Sequence, residues 1–394
     1  MQDNNSLQQD IPVRNIALVV NSFDKGGLEQ VVMNLYLGYR RKGWKAYILS
    51  QTRLVGSMAE KLLNLKDIYI FDGNEDDFFC FCRNHNIDVL HYHYNTFMLK
   101  EARERGFKIL YTMHNAYTWM TLSEIRAYSA RLASAHKVVP VSTFVEQYYL
   151  ARTGAGCSNI QTIPNGVDFA ELDGEYKGFS VSRENPGLSE QDIVICEIAS
   201  FHPAKHQVGM IGVMERLQKD HPEIKLLLVG NEGDKSYYNY FMKTLANSPS
   251  RGNISVIPYF DHKYMGQFLR SVVDIFTLPT LYEGCSNAAL EAAYCAKPMV
   301  LTNVGNADEM NDIASCEIVQ TAYQNLTEVS PEELLDISLR KYSRNTEDLA
   351  RAIVKIAADL DDYKVRAIKA VNQISQYDTD HMVRQYMDIV ESIY

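Results

Sequence analysis

Residues 16–49 read IALVVNSFDKGGLEQVVMNLYLGYRRKGWKAYIL. Ile16-Ala17-Leu18-Val19-Val20 is a short, wholly apolar run, the mark of a strand covered on both faces of a parallel sheet. Gly26-Gly27 punctuates the stretch. From Leu28 the apolar residues fall at helical spacing, at Val31, Val32, Leu35 and Tyr36, and the helix is expected to end near Gly43. Tyr47-Ile48-Leu49 opens a second strand. The unit is therefore strand, glycine turn, helix, strand.

The same alternation continues outward. Val89-Leu90-His91, Ile109-Leu110-Tyr111 and Val138-Val139-Pro140-Val141 are further strands, the last after a helix around 121–135. From Asn165 to Gln191 the sequence turns rich in Gly, Asp, Glu and Ser, which places a linker at 171–190. Strands then resume at Ile193–Ile198, Lys225–Val229, Ile254–Ile257, Ile275–Leu278 and Met299–Leu301, with helices between them. Residues 345–394 read as helical throughout. Strand–helix alternation means a doubly wound parallel sheet, here twice over. The expected plan is a loose arm at 1–12, an N-terminal α/β domain at 13–170, the linker, a second α/β domain at 191–375, and a helix at 376–394 that returns to the N-terminal domain. A chain of 394 residues is long enough for two cores.

Composition narrows the functions. The formal charge is −10, with 18 Lys and Arg against 16 Asp and Glu before residue 171 and a strong acidic excess after it. An acidic chain is a poor nucleic-acid binder. Local basic clusters, Arg40, Arg41, Lys42 and Lys45, then Arg103, Arg105 and Lys108, read as a solvated face or as a patch for an anionic membrane. Seven cysteines show neither zinc spacing nor a disulfide framework, which fits reduced thiols in a cytoplasm. The first residues lack the apolar core of a signal peptide, and no run approaches a spanning helix, so any membrane contact is expected to be peripheral.

Two stretches could carry chemistry. Phe23-Asp24-Lys25-Gly26-Gly27-Leu28-Glu29 follows a strand and opens a helix, where glycines allow close backbone approach and a helix start attracts anions. Tyr282-Glu283-Gly284-Cys285-Ser286-Asn287-Ala288-Ala289-Leu290-Glu291 follows the strand at Ile275–Leu278. Its small residues free backbone amides for a ligand, and its two carboxylates could grip hydroxyl groups. A carboxylate pair also suits acid–base hydrolysis. The plain structural reading is a helix cap and a surface glutamate.

The second stretch is very similar to the Glu-x7-Glu motif of retaining glycosyltransferases of family 4, which have the GT-B fold of two Rossmann-like domains facing a cleft. Other segments agree in order: Gly26-Gly27-Leu28-Glu29, Thr112-Met113-His114-Asn115, Val141-Ser142, Ile163-Pro164-Asn165-Gly166-Val167-Asp168, and Leu227-Leu228-Val229-Gly230. The resemblance covers essentially residues 13–394. It implies transfer of a hexose or HexNAc from a nucleotide sugar, UDP-linked by default, to a glycan or lipid-linked saccharide acceptor in surface polysaccharide assembly. No metal or cofactor is implied. Glu283 would bind the donor sugar and Glu291 the ribose. Gly284, Cys285, Ser286 and Asn287 would hold sugar and phosphates. Gly26 and Gly27 would approach the diphosphate, Lys205 would neutralise it, and His114 would sit beside the transferred sugar. Gly230 and Tyr259 are placed on the nucleotide side. His91, His93 and Asn115 are placed on the acceptor side, the two histidines on one strand face as a polar wall. Tyr117-Thr118-Trp119-Met120 reads as an exposed aromatic loop or an ordinary helix start.

Two departures stand out. The family usually has an Arg shortly before the lysine; here Ser200 occupies that region, with His202 or His206 as substitute cations. The loop after the strand at Ile254 reads Ile257-Pro258-Tyr259-Phe260-Asp261, without the usual glycine. A non-hydrolysing nucleotide-sugar epimerase and a catalytically inactive sugar-nucleotide binder remain alternatives.

Overall fold

The computed structural model describes residues 13–24, 26–156, 158–174, 182–184 and 187–394. The arm expected at 1–12, and residues 175–181 and 185–186 of the expected linker, lie outside these.

Two six-stranded sheets carry the fold. The first is built from β1 (Asn15–Val20), β2 (Lys45–Ser50), β3 (Ile68–Ile70), β4 (Val89–His93), β5 (Lys108–Met113) and β6 (Lys137–Pro140), in the order β3-β2-β1-β4-β5-β6. The second is built from β7 (Ile193–Ile198), β8 (Ile224–Val229), β9 (Ile254–Ile257), β10 (Ile275–Leu278), β11 (Met299–Thr302) and β12 (Cys316–Val319), in the order β12-β11-β10-β7-β8-β9. Counted within its own half, the second order repeats the first. The pairing is parallel, with Ile16 beside both Ala46 and Val89, and Ile193 beside Ile224. Each sheet reverses direction next to its first strand, between β1 and β4 and between β7 and β10. In such sheets ligands bind beyond the carboxyl ends of the strands at that reversal.

The apolar runs seen in the sequence are these strands. Ile16 to Val20 have no exposed surface, as strands covered by helices on both faces require. Two strands have no counterpart in the sequence reading, β3 and β12. Both are outermost strands with partly exposed side chains: β3 is only Ile68-Tyr69-Ile70, and the run of β12 is broken by Glu317. The expected helices form, including Gly27–Arg41 and, in the tail, Thr346–Ala358, Leu360–Ile374 and Thr379–Ser392.

Contacts divide the chain into two units. One holds the chain up to Thr112 with Arg131–Val138 and Met387–Tyr394; the other holds Met113–Ala130 and Val139–Tyr386. In the first, Trp44 stacks on Tyr39 with ring centroids 5.2 Å apart. The end of the last helix is held there by Arg14, whose guanidinium donates to both oxygens of Glu391 at 2.9 and 2.8 Å and lies 3.5 Å over the Tyr394 ring. In the second unit, the helix Gln207–Leu217 packs on β8 and against the helix Thr346–Ala358, which packs on β11 and β12, and Ile195, Leu226, Leu228, Ile211, Met214 and Ile353 share one core.

Candidate active site

The second sheet reverses between β7 and β10, and the chains leaving these two strands meet. After β7 comes a tight turn, Pro203–Lys205, started by His202, whose Nδ1 accepts the Ala204 amide at 3.1 Å. After β10 comes Thr280-Leu281-Tyr282-Glu283. The Ala204 carbonyl accepts the Leu281 amide and the Thr280 hydroxyl, each at 2.7 Å. These bonds fix the turn against the loop, and at their outer end Lys205 Nζ donates to Glu283 Oε2. Both side chains are mostly buried, and Glu283 Oε1 accepts the Gly284 amide at 3.0 Å. A cation and a carboxylate thus stand at the position where this fold places ligands.

The loop beyond Glu283 is braced from three sides within the same unit. Gly284 has no room for a side chain: a Cβ there would lie 1.9 Å from the His114 carbonyl oxygen. Ser142 caps the helix Thr143–Thr153 and donates its hydroxyl to the Gly284 carbonyl at 2.8 Å. Asn165 Nδ2 reaches both the Cys285 carbonyl, at 2.9 Å, and Asn287 Oδ1, at 3.0 Å. Asn306 Oδ1 accepts the Ser286 amide at 2.9 Å. The helix Asn287–Tyr294 then begins, with Ser286 Oγ taking the Ala289 amide. A helix start carries further amides without intrahelical partners, which favour an anion. The Val-Ser and Pro-Asn-Gly segments of the sequence thus converge on this one loop.

Glu291 lies on the second turn of that helix and is buried. Its Oε1 is 2.9 Å from His262 Nε2, and His262 Nδ1 is 3.6 Å from Glu171 Oε2. Burial alone would lower the His262 pKa; the charge and hydrogen bond of Glu291 and the nearby Glu171 carboxylate outweigh it and raise it to about 10. The ring is therefore an imidazolium at neutral pH. Sequence reasoning missed His262 and Glu171, because a lone histidine after a strand carries no pattern.

The other expected residues are distributed as follows. His114 is half-buried as a residue, and burial of its ring lowers the pKa to about 3, so it is neutral. Asn115 bends back, its Oδ1 accepting the Ala116 amide at 2.7 Å. His91 and His93 share a face, with rings 4.1 Å apart, but neither has exposed surface; the polar wall expected there is an interior layer, with His91 Nε2 2.7 Å from Thr112 Oγ1. Gly230 meets a packing demand, since a Cβ would fall 1.8 Å from the Ala199 carbonyl oxygen. Tyr259 is 77% exposed. Gly26, in the first unit, has φ 154°, and a Cβ would strike Glu29 Oε2 at 2.7 Å; Gly27 faces open space.

Neither histidine near Ser200 supplies the missing positive charge. His206 is fully buried, which lowers its pKa to about 4. His202 is lowered by burial and by the Lys205 cation beside it. On β7, Glu197 is 1% exposed, with no hydrogen-bond partner for either oxygen among the described residues. Burial pushes its carboxyl well above the usual range, against the opposing pull of Lys205, so it is a neutral acid. Among the described residues no group of three His, Cys, Asp or Glu side chains is arranged to hold a metal ion.

The sequence matches the family described as Glycosyl transferases group 1 over residues 179–326 and that described as Glycosyltransferase Family 4 over residues 25–171. The chain belongs to glycosyltransferase family 4. Its fold is GT-B, and it superposes on the crystal structure of the Anabaena protein HepE in complex with UDP-glucose with a TM-score of 0.77, 15% identity, and coverage of 96% of this chain and 99% of that one. Among curated proteins it is similar to a GDP-mannose-dependent monoacylated alpha-(1-6)-phosphatidylinositol monomannoside mannosyltransferase of Corynebacterium glutamicum, 27% identical over 52% of this chain and 55% of the relative. A related mannosyltransferase of Mycolicibacterium smegmatis is 24% identical over 48% and 50%. The match thus spans about half the length of these curated relatives. No helix among the described residues is long and apolar enough to cross a membrane.

Proposed function

We propose that this family 4 glycosyltransferase moves a hexose or HexNAc from a nucleotide sugar to a hydroxyl of a glycan or lipid-linked saccharide, with retention of configuration and no metal. The observation that carries the reading is the meeting of Lys205 and Glu283 at the reversal of the second sheet, directly before the braced start of the helix Asn287–Tyr294. In this reading the donor diphosphate lies at that helix start with Lys205. Glu283 accepts hydroxyls of the donor sugar, and Glu291 those of the ribose. The acceptor hydroxyl attacks the anomeric carbon on the face from which the diphosphate leaves. The C–O bond to phosphate breaks as the new glycosidic bond forms, and a phosphate oxygen takes the acceptor proton. Lys205 and the helix-start amides stabilise the charge that grows on the leaving group. Neutral His114 offers a hydrogen bond rather than a charge beside the sugar. Gly26 and Gly27 keep their resemblance-based assignment to the donor phosphates, Gly26 by a backbone that excludes a side chain.

Lys205 carries the cationic role without the arginine usual in this family. Lys205→Ala should therefore lower transfer by about 10²–10³-fold, the cost of removing one group aimed at developing charge, with an unchanged far-UV circular dichroism spectrum. Wild-type transfer by that variant would sink the proposal. The donor is read by calorimetric titration with UDP-, GDP- and ADP-sugars. UDP-sugars are the first choice, and GDP-mannose the second because the curated relatives are named for it. Binding to none of them would defeat the reading. The acceptor side, and a peripheral membrane contact through the basic clusters near Arg40 and Arg103, belong to the same proposal. Vesicle flotation with and without anionic lipid tests the contact, and equal flotation in both would remove it.

A further inference from the structure

Glu291 is a carboxylate buried on the second turn of its helix, and a buried charge is costly unless it is paired and hydrogen-bonded. Its partner is His262, 2.9 Å away, on the loop after β9. The same ring faces a second carboxylate, Glu171, on the short helix Phe169–Leu172. A neutral imidazole donates from only one nitrogen; an imidazolium donates from both. Two carboxylates facing opposite nitrogens therefore select the charged ring.

The surrounding charges are already engaged. On the loop of His262 itself, Asp261 pairs with Lys263 at 2.9 Å. From the helix Met265–Val272, Arg270 donates to Asp173 at 2.6 Å and to the Leu172 carbonyl at 2.8 Å. From the helix of Glu291, Tyr294 donates to Asp173 at 2.5 Å. His262 is the cation that faces both Glu171 and Glu291.

We propose that His262 is a positioning residue of the donor site: it holds the Glu291 carboxylate in one orientation through Oε1, leaving Oε2 to accept the ribose hydroxyls of the nucleotide. This rests on the reading of Glu291 as the ribose ligand. The role differs from simple packing because it is transmitted to one part of one ligand.

The test is a thermodynamic cycle between this side chain and the ribose hydroxyls. The dissociation constants of UDP and GDP, and of their 2′,3′-dideoxy analogues, are measured by calorimetry for wild type, His262→Gln and His262→Phe. The wild type is expected to lose about tenfold or more in affinity when the hydroxyls are removed, the size of one hydrogen bond to a charged group. His262→Phe should lose that discrimination while binding the dideoxy nucleotides as wild type does. His262→Gln, which keeps one N–H for Glu291, should retain part of it. The pH arm has a definite sign: in the folded protein the ring stays charged above its ordinary pKa and loses its proton only as pH rises through about 10, so ribose discrimination should be level from pH 6 to 9 and fall above. Unchanged discrimination in His262→Phe overturns the proposal. So does an equal loss for ribose and dideoxy nucleotides, which marks a structural role. If wild type itself binds both kinds alike, or binds neither, the ribose reading of Glu291 fails and this proposal falls with it.

Discussion

Glu197 sits inside the second sheet as a protonated acid, and its neutrality has a measurable consequence. At neutral pH the folded chain holds this proton while the unfolded chain, with an ordinary carboxyl, has released it. Stability must then fall as pH rises above the ordinary carboxylate range, by about 1.4 kcal/mol per pH unit for one proton. Glu197→Gln removes the proton uptake and keeps the shape. Thermal melts at pH 5 and pH 8 should show the variant gaining on wild type at pH 8. A parallel pH dependence in both proteins would show that the acid is ionised in the folded chain as well.

At the same scale, some site residues were readable and others were not. Glu283, Glu291 and Lys205 occupy positions in ordered motifs. His262 and Glu171 do not, because their meaning arises only when β9, the helix Phe169–Leu172 and the helix Asn287–Tyr294 meet. The histidines at 91 and 93 show the opposite error. Alternation put them on one face correctly, but a parallel strand between two neighbours is covered on both faces, so that face is interior.

The loop Glu283–Asn287 is the element on which the site depends, and it is held by residues far away in the sequence. Ser142 reaches it across 142 positions and Asn165 across 120 to 122. No local periodicity encodes such bonds. The sequence marked these residues by resemblance without saying what they touch. The tightest point is Gly284 against the His114 carbonyl. Gly284→Ala should force that contact apart at a cost of about 1–3 kcal/mol, as overpacking does elsewhere. A lowered melting temperature together with weakened donor binding is the expected result. A variant as stable and as tight-binding as wild type would show that the loop yields freely.

At the scale of the molecule, the two sheets were legible because buried parallel strands are apolar and alternate with helices; their strand order was not read from the sequence. Only the outermost strands β3 and β12 escaped. The tail was readable as helix from its periodicity. Its end is held by buried Met387, Ile389 and Val390 and by the ion pair of Arg14 with Glu391. Arg14→Ala should cost about 1 kcal/mol, in the range for a partly buried ion pair, and hydrogen exchange in 387–394 should quicken. Unaltered exchange there would assign the docking to the apolar side chains alone.

That attachment also bears on synthesis. Arg14 and its partner Glu391 are 377 positions apart, so the first unit cannot be completed until residues 387–394 have been made. Its sheet emerges early and must wait, without the side chains of Met387, Ile389 and Val390, until that segment arrives. Such a long closure slows the last step of folding and leaves an apolar surface open to chaperones in the interval.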